Sequence, residues 1–126
     1  GDDVERTDIE AEAARWARRA SDVTGTVVML KGSRTVVAAP GGVLIRLPEA
    51  TPWLSTAGTG DVLAGILGAL VAAAASRIDG PSALAEVAAT ASLVHAIAGE
   101  HASGGGPLAA LDVAEAVPHV LADLLA

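Results

Sequence analysis

The feature that most constrains the fold is a stretch of 14 residues, 62–75, that carries no charge. At about 3.6 residues per turn its larger side chains cover every side of a helix. These side chains are Val62, Leu63, Ile66, Leu67, Leu70 and Val71. We therefore predict a helix from Asp61 to Ser76 that packs between other elements, with Gly65 and Gly68 allowing a neighbour to approach closely. The run is shorter than the roughly 20 residues that span a bilayer, so we expect no membrane partner.

Short strands are predicted before this helix. Thr26–Leu30 reads TVVML, an apolar run without alternation, which is typical of a strand covered on both faces, and we expect it to be central. Thr35–Ala39 and Val43–Leu47 flank Pro40, Gly41 and Gly42, which predicts a hairpin. A helix that leads directly into a buried strand favours the α/β class.

The first predicted helix begins at a capping box formed by Thr7 and Glu10 and ends at Gly25. Its buried face is predicted from residues spaced by three and four, which are Ile9, Ala13, Trp16 and Ala20. Arginines occupy the other side, at positions 15, 18 and 19.

Two more helices are predicted after the apolar one. An Ala-rich helix should run from Ala83 to His101, between a break at DGPS and the flexible SGGG. The last helix should be capped by Asp112, with a kink or a new first turn at Pro118. No linker divides the chain, so residues 1–126 are expected to form part of one domain.

The composition excludes several classes of function. The chain has no cysteine, which excludes a thiol nucleophile and a thiolate zinc site. Its net charge is −7 and its only Phe, Tyr or Trp residues are Trp16 and Trp53, so nucleic acid is not an expected partner. The acidic, polar amino terminus differs from a secretory signal, and we expect a cytoplasmic protein.

A glycine-rich turn with a single acid precedes the apolar helix. Gly58, Thr59 and Gly60 can direct successive N–H groups at one point, and the helix dipole adds positive potential, so a phosphate would fit there. Asp61 could then accept the proton of a hydroxyl that attacks phosphorus. The alternative is an acid that merely stabilises the first helical turn. Leu63 occupies the third glycine position of the Rossmann fingerprint, and no Gly-Lys-Ser/Thr follows for a P-loop.

A second group of polar residues follows the predicted central strand. Lys31, Gly32, Ser33, Arg34 and Thr35 bring cations and hydroxyls to the end of a strand, where ligands gather in open α/β sheets. These groups suit the phosphates and ribose of a nucleotide, and the alternative is a solvated hairpin end.

The histidines indicate no metal site. His95 lies among apolar residues of a predicted helix, and we interpret it as a packing residue rather than a catalyst or metal ligand. His101 and His119 are expected to be exposed, and no histidine pair has the four-residue spacing of a helical metal site. No serine lies in a Gly-x-Ser-x-Gly elbow.

Four segments, taken in order, resemble one enzyme family. They read LKGSRTVVAAP, LSTAGTGDVLAGILGALVA, LVHAIAG and GPLAALDVAEAVPHVL. Nearly all of residues 4–124 resembles the carboxyl-terminal half of the nucleotide-dependent NAD(P)H-hydrate dehydratases, members of the ribokinase-like superfamily. The resemblance implies the carboxyl-terminal portion of a three-layer αβα sandwich.

The resemblance also implies a repair reaction. Family members convert hydrated NADH or NADPH back to the reduced dinucleotide with ADP or ATP, which Mg²⁺ should accompany. A hydroxyl is phosphorylated and then expelled as phosphate. Asp61 matches the base and would contact the hydrate, while Gly58, Thr59 and Gly60 match the anion hole. Gly60 would also touch the adenine nucleotide, and Lys31–Thr35 would line its pocket.

The chain departs from the family in a loop and in length. Thr51 and Ser55 stand where the family usually has Asn and Ala, with the bulky Trp53 between them. The family also has a further amino-terminal half, so we expect a fragment completed by that half in another chain or by a homo-oligomer. Two alternatives stay open. One is a ribokinase-like kinase of a vitamin precursor or sugar, and the other is a non-catalytic nucleotide-binding or assembly fragment.

Overall fold

The computed structural model describes residues 2–126, with side chains from residue 8 onward. Within this part of the chain, four helices and three strands follow one another as α1 (Asp2–Thr24), β1 (Val28–Leu30), β2 (Val36–Ala38), β3 (Leu44–Arg46), α2 (Thr59–Ala74), α3 (Pro81–Ser103) and α4 (Ala110–Leu125). Single turns of 3₁₀ helix lie at Pro52–Ser55 and Ala75–Arg77.

The three strands form an antiparallel meander in the order β1-β2-β3. Val37 at the centre pairs with Met29 on one side and with Ile45 on the other. The predicted hairpin is confirmed, and its turn contains Gly41 and Gly42 at positive φ. Within the three-stranded sheet of the described residues, β1 forms an edge and is only partly buried, so the predicted central place is not seen there; its place in a sheet with further strands stays a prediction. An uninterrupted apolar run reports burial, whereas a strand's place in a sheet depends on its partners.

Helices cover both faces of β2. Ala14 and Ala17 of α1 pack on Val36 and Ala38, while Ala85 and Ala88 of α3 pack on the opposite face, against Val37 and Ala39. Alternate residues of a strand point to opposite faces, so this one strand serves both packing layers. The chain is therefore a mixed α/β fold.

The buried face of α1 differs from the predicted one. Ala14, Ala17 and Ser21 are buried, whereas Ile9 and Trp16 are 66% and 57% exposed. Small side chains allow the helix backbone to lie close to the sheet, which the large ones would prevent. The helix begins at Asp2, so Thr7 lies inside it and is not its cap; the predicted capping-box contact of that side chain lies outside the described side chains. The predicted end at Gly25 is confirmed.

The packing of α2 also differs from the prediction. Val62 and Ile66 pack on the core, but Thr59 and Leu63 are the only fully buried residues of this helix. No atom of the described residues lies within 4 Å of the Cβ position at Gly65 or Gly68, so no neighbour approaches there. The helix is apolar all round, and its outer face is left uncovered by this part of the chain.

A core of six buried residues joins α3 and α4: Val94, Ala98, Leu108, Val113, Ala116 and Val120. The predicted helix Ala83–His101 is confirmed within α3. The last helix begins at Ala110, not at Asp112, whose Oδ2 accepts the Ala109 N–H at 2.8 Å from inside the first turn. It continues through Pro118, so the alternative of a new first turn is wrong.

Two helical stretches, Thr59–Arg77 and Pro81–Ser103, are long and apolar enough to cross a membrane by length and composition alone. The first is longer than the uncharged run because residues at both ends extend the helix. The core helix of a globular protein meets the same criteria, and 44% of the apolar window in α3 is buried by the rest of the fold. Length and composition therefore do not assign a membrane span here.

Candidate active site

The start of α2 is anchored by Thr59, which is 2% exposed. Its hydroxyl donates to the carbonyl oxygens of Leu54, at 2.5 Å, and Thr56, at 3.0 Å. Its N–H also points to the Thr56 carbonyl, at 3.3 Å. Both carbonyls belong to the loop that the turn at Pro52–Ser55 shapes, and Trp53 stands exposed on that turn. Thr59 therefore fixes the loop and the helix start relative to one another.

Two of the three amides in the predicted anion hole have no acceptor in the part of the chain that the structure describes. Gly58 adopts a left-handed conformation with φ of 88°, and its carbonyl receives the N–H groups of Asp61 and Val62. Among the residues that the structure describes, no acceptor engages the N–H of Gly58 or of Gly60. Unpaired amides at the positive end of a helix favour an anion. The Thr59 N–H is already engaged by the Thr56 carbonyl, so it is less available to an anion than the sequence predicted.

Lys31 lies directly against the glycine turn. Its Nζ is 2.8 Å from the position that a Cβ would take on Gly60. Two motifs that the sequence places far apart therefore meet in space, with the ammonium group next to Gly60, whose N–H has no acceptor among the described residues. This combination provides positive charge and a hydrogen-bond donor for one phosphate group.

A cavity of about 290 Å³ opens beside Lys31, between the strand-end loop and α3. Gly32, Ser33 and Thr35 line it together with Lys31. Arg34 does not line it, because its guanidinium forms a salt bridge of 3.1 Å with Glu10 and approaches Glu49 at 3.9 Å. Four of the five residues predicted to line a nucleotide pocket therefore share one cavity.

The loop before α2 forms the opposite wall of this cavity through Thr51, Leu54 and Ser55. Thr51 and Ser55 are the positions where the chain departs from the family pattern. Trp53, between them, is not among the lining residues. The two departures thus face the cavity, whereas the bulky tryptophan does not narrow it.

Asp61 is exposed in the first turn of α2 and is not among the residues lining the cavity. It follows Gly60 directly and is exposed to solvent beside the glycine turn.

His95 of α3 is 5% exposed and also lines the cavity. Its Nε2 lies 2.8 Å from the Thr59 carbonyl oxygen and must carry a proton to donate to it. Burial lowers the pKa of His95; the hydrogen bond to Thr59 opposes this effect, and the positive charge of Lys31 adds to it. The apolar residues around His95 in the sequence indicated a packing residue, and this contact was not predicted from them. The predicted exposure of His101 and His119 is confirmed.

Gly99 is a second residue of the site that was not predicted from the sequence. A Cβ there would lie 2.6 to 2.8 Å from three carbon atoms of Leu54. The absence of a side chain allows Leu54, and with it the loop, to sit on α3. A glycine inside an otherwise Ala-rich helix is the signal that could have indicated this close approach.

The family model described as NAD(P)H-hydrate dehydratase matches residues 3–118. The chain belongs to this family. The resemblance drawn from the four sequence segments is thereby confirmed, and with it the match between Gly58–Asp61 and a family motif becomes a basis for a proposal.

Individual relatives agree with this family. A bifunctional NAD(P)H-hydrate repair enzyme of Mycobacterium leprae is 50% identical over 56 residues, which cover 44% of this chain and 12% of the relative. A bifunctional NAD(P)H-hydrate repair enzyme of Moorella thermoacetica is 35% identical over 115 residues, which cover 89% of this chain and 20% of the relative. An ADP-dependent (S)-NAD(P)H-hydrate dehydratase of Neisseria meningitidis serogroup B is 38% identical over 64 residues, which cover 51% of this chain and 22% of the relative. The chain thus spans 12% to 22% of these relatives' length.

Proposed function

We propose that the chain carries the nucleotide-binding and catalytic part of an enzyme that dehydrates hydrated NADH and NADPH. The observation that carries the proposal is the approach of Lys31 Nζ to Gly60, beside two amides without internal acceptors, in a chain of this family. A phosphate group bound there would meet a cation and backbone donors at once. The name of the Neisseria relative, an ADP-dependent dehydratase, favours ADP over ATP as the phosphate donor.

The nucleotide would occupy the cavity beside Lys31. Ser33 and Thr35 would supply hydroxyls to it, and Gly32 would let it approach the backbone. Arg34 would lie outside the cavity and stabilise the loop that lines it, since its salt bridge to Glu10 holds the strand-end loop against α1. Of the predicted anion-hole residues, Gly58 and Gly60 would donate N–H groups to the transferring phosphoryl group, and Thr59 would hold the turn in shape.

Asp61 would act as the general base. The hydroxyl of the hydrate attacks the terminal phosphorus of ADP, its proton passes to the Asp61 carboxylate, and AMP leaves. The lone pair of the ring nitrogen then expels the phosphate group from the ring carbon, and the neighbouring carbon loses a proton to restore the double bond. The Gly58 and Gly60 amides would stabilise negative charge on the phosphoryl oxygens during transfer.

A magnesium ion would be held by the nucleotide rather than by a protein site. Among the described residues, no group of three or more His, Asp or Glu side chains could hold a metal ion. Mg²⁺ commonly binds through substrate phosphates and water with few protein ligands. The donor set of this site fits that mode of binding, in which Lys31 shares the phosphate charge with the ion.

We further propose that this chain forms part of a ribokinase-like three-layer sandwich in the cytoplasm. The uncovered face of α2 and the small fraction of each relative that the chain matches support a further segment or chain, or a homo-oligomer, that completes the fold. Such a partner would add most of the wall that binds the hydrate.

The proposal is tested on the chain together with the segment that completes its fold, with hydrated NADH, ADP and Mg²⁺, by following the return of reduced-nicotinamide absorbance and the release of phosphate. Asp61→Asn should abolish turnover while ADP affinity changes less than about threefold, because the side chain keeps its shape and loses its basicity. Asp112→Asn, at the equivalent position in the first turn of α4, serves as the control. Full turnover by Asp61→Asn would exclude the base role, and a stable phosphorylated product would identify a kinase instead.

A further inference from the structure

The peptide unit between Thr59 and Gly60 connects His95 to the proposed anion site. This unit is planar, so its carbonyl oxygen and its N–H point in opposite directions and move together. The oxygen accepts the hydrogen bond from His95 Nε2 at 2.8 Å. The N–H at the other end belongs to Gly60 and has no acceptor among the described residues. A force that fixes one end of the plane therefore fixes the direction of the other.

We propose that His95 is a positioning residue that orients the Gly60 N–H toward the phosphoryl group. This role rests on the proposed function and extends it to a residue that touches neither the nucleotide nor the hydrate. Thr59 is held through its hydroxyl, and its carbonyl lies in the first turn of α2, so the bond from His95 adds to the helix in fixing the direction of the following peptide plane.

The hydrogen bond also changes the strength of the Gly60 donor. A donor to a carbonyl oxygen polarises the amide and makes its N–H a better donor, by an estimated 10–30% per bond in such chains. The imidazole thus increases the positive potential that the anion meets without placing a side chain in the site.

The charge state of His95 suits this role. Burial and the nearby Lys31 both favour the neutral ring, in which Nε2 carries the proton. Glu49 and Glu100 line the same cavity and are the acidic groups on its wall. A neutral ring leaves Lys31 as the cation that faces the phosphate, because the histidine neither repels the ammonium group nor competes for the anion.

Three substitutions separate positioning from packing. His95→Gln places an N–H donor near the position of Nε2, whereas His95→Leu fills similar space without a donor. His95→Asn keeps a polar amide that is too short to reach the Thr59 carbonyl, and it serves if the leucine variant does not fold. His101→Gln, at an exposed position of the same helix, is the matched control.

The measurement is the ¹⁵N–¹H resonance of Gly60 during a titration with inorganic phosphate and then with ADP. In the unsubstituted chain, phosphate should shift this resonance. His95→Leu and His95→Asn should alter its position before any ligand is added and weaken phosphate binding about 5- to 20-fold, because the bond from Gly60 N–H to the charged phosphate is weakened but not removed. His95→Gln should stay within about threefold. The resonances of Gly41 and Gly42, in the distant hairpin turn, report that each variant is folded.

The outcomes distinguish this inference from the proposed function. Equal phosphate affinity and an unmoved Gly60 resonance in folded His95→Leu or His95→Asn would overturn the positioning role, even if dehydration proceeds normally. Equal losses in His95→Gln and His95→Leu would overturn it too, because packing would then be the cause. A Gly60 response that depends on His95, in a protein that does not dehydrate the hydrate with its partner present, would support the positioning role and refute the proposed reaction.

Discussion

The contact between Gly99 and Leu54 predicts that an alanine will destabilise α3, although alanine normally stabilises a helix. A Cβ on Gly99 would lie 2.6 Å from Leu54 Cδ2, whereas carbon atoms prefer a separation of about 3.5–4.0 Å. Leu54 would have to retreat by roughly 1 Å, and such overpacking costs about 1–3 kcal/mol. The gain from replacing a helical glycine is only about 0.5–1 kcal/mol. We expect Gly99→Ala to lower the free energy of unfolding by about 1–2 kcal/mol.

Chemical denaturation monitored by circular dichroism measures this change, and the melting temperature should fall by roughly 3–8 °C. Gly65→Ala is the matched control, because no atom of the described residues lies near its Cβ position and the alanine should stabilise α2 by about 0.5–1 kcal/mol. In a Leu54→Ala background, Gly99→Ala should also become stabilising. A gain of stability from Gly99→Ala alone would refute the packing argument, since the loop would then not depend on that contact.

Two further predictions concern Lys31 and His95. Lys31→Ala should weaken ADP binding about 10- to 100-fold with little change in stability, because an exposed cation is removed from the phosphate site; unchanged calorimetric affinity would contradict this placement. The lowered pKa of His95 means that the folded chain binds fewer protons there than the unfolded chain. Its contribution to stability is complete above about pH 6.5 and is lost as the pH falls below that value. Denaturation at pH 5 and pH 7.5 should show this loss, and His95→Gln should reduce it.

Local chemistry explains the parts of the fold that the sequence predicted. The hairpin follows from Pro40, Gly41 and Gly42, since a tight turn depends on the residues that form it. The sheet order did not follow, because strand pairing depends on residues distant along the chain. The buried face of α1 was predicted wrongly because two sets of its residues have helical spacing. The set of small residues packs against the sheet, whereas the set that contains Ile9 and Trp16 is largely exposed.

The candidate site was likewise predicted only in part from the sequence. The glycine turn at Gly58–Gly60 and the cluster beginning at Lys31 could each be recognised from residue types alone. Their direct approach could not, because it depends on how α2 sits against the strand-end loop. The bond between His95 and the Thr59 carbonyl joins residues 36 positions apart and ends on a backbone atom. Every residue has a carbonyl oxygen, so no sequence pattern indicates which one accepts a hydrogen bond from a histidine.

The exposed Trp53 gives this molecule a built-in optical probe. Trp16 and Trp53 are its only tryptophans, and it has no tyrosine or phenylalanine to contribute ultraviolet emission. With Trp16 replaced by phenylalanine, fluorescence excited at long ultraviolet wavelengths would arise from the turn next to Leu54 alone. Quenching by iodide could then report how far a bound ligand shields that turn from solvent, without any attached dye.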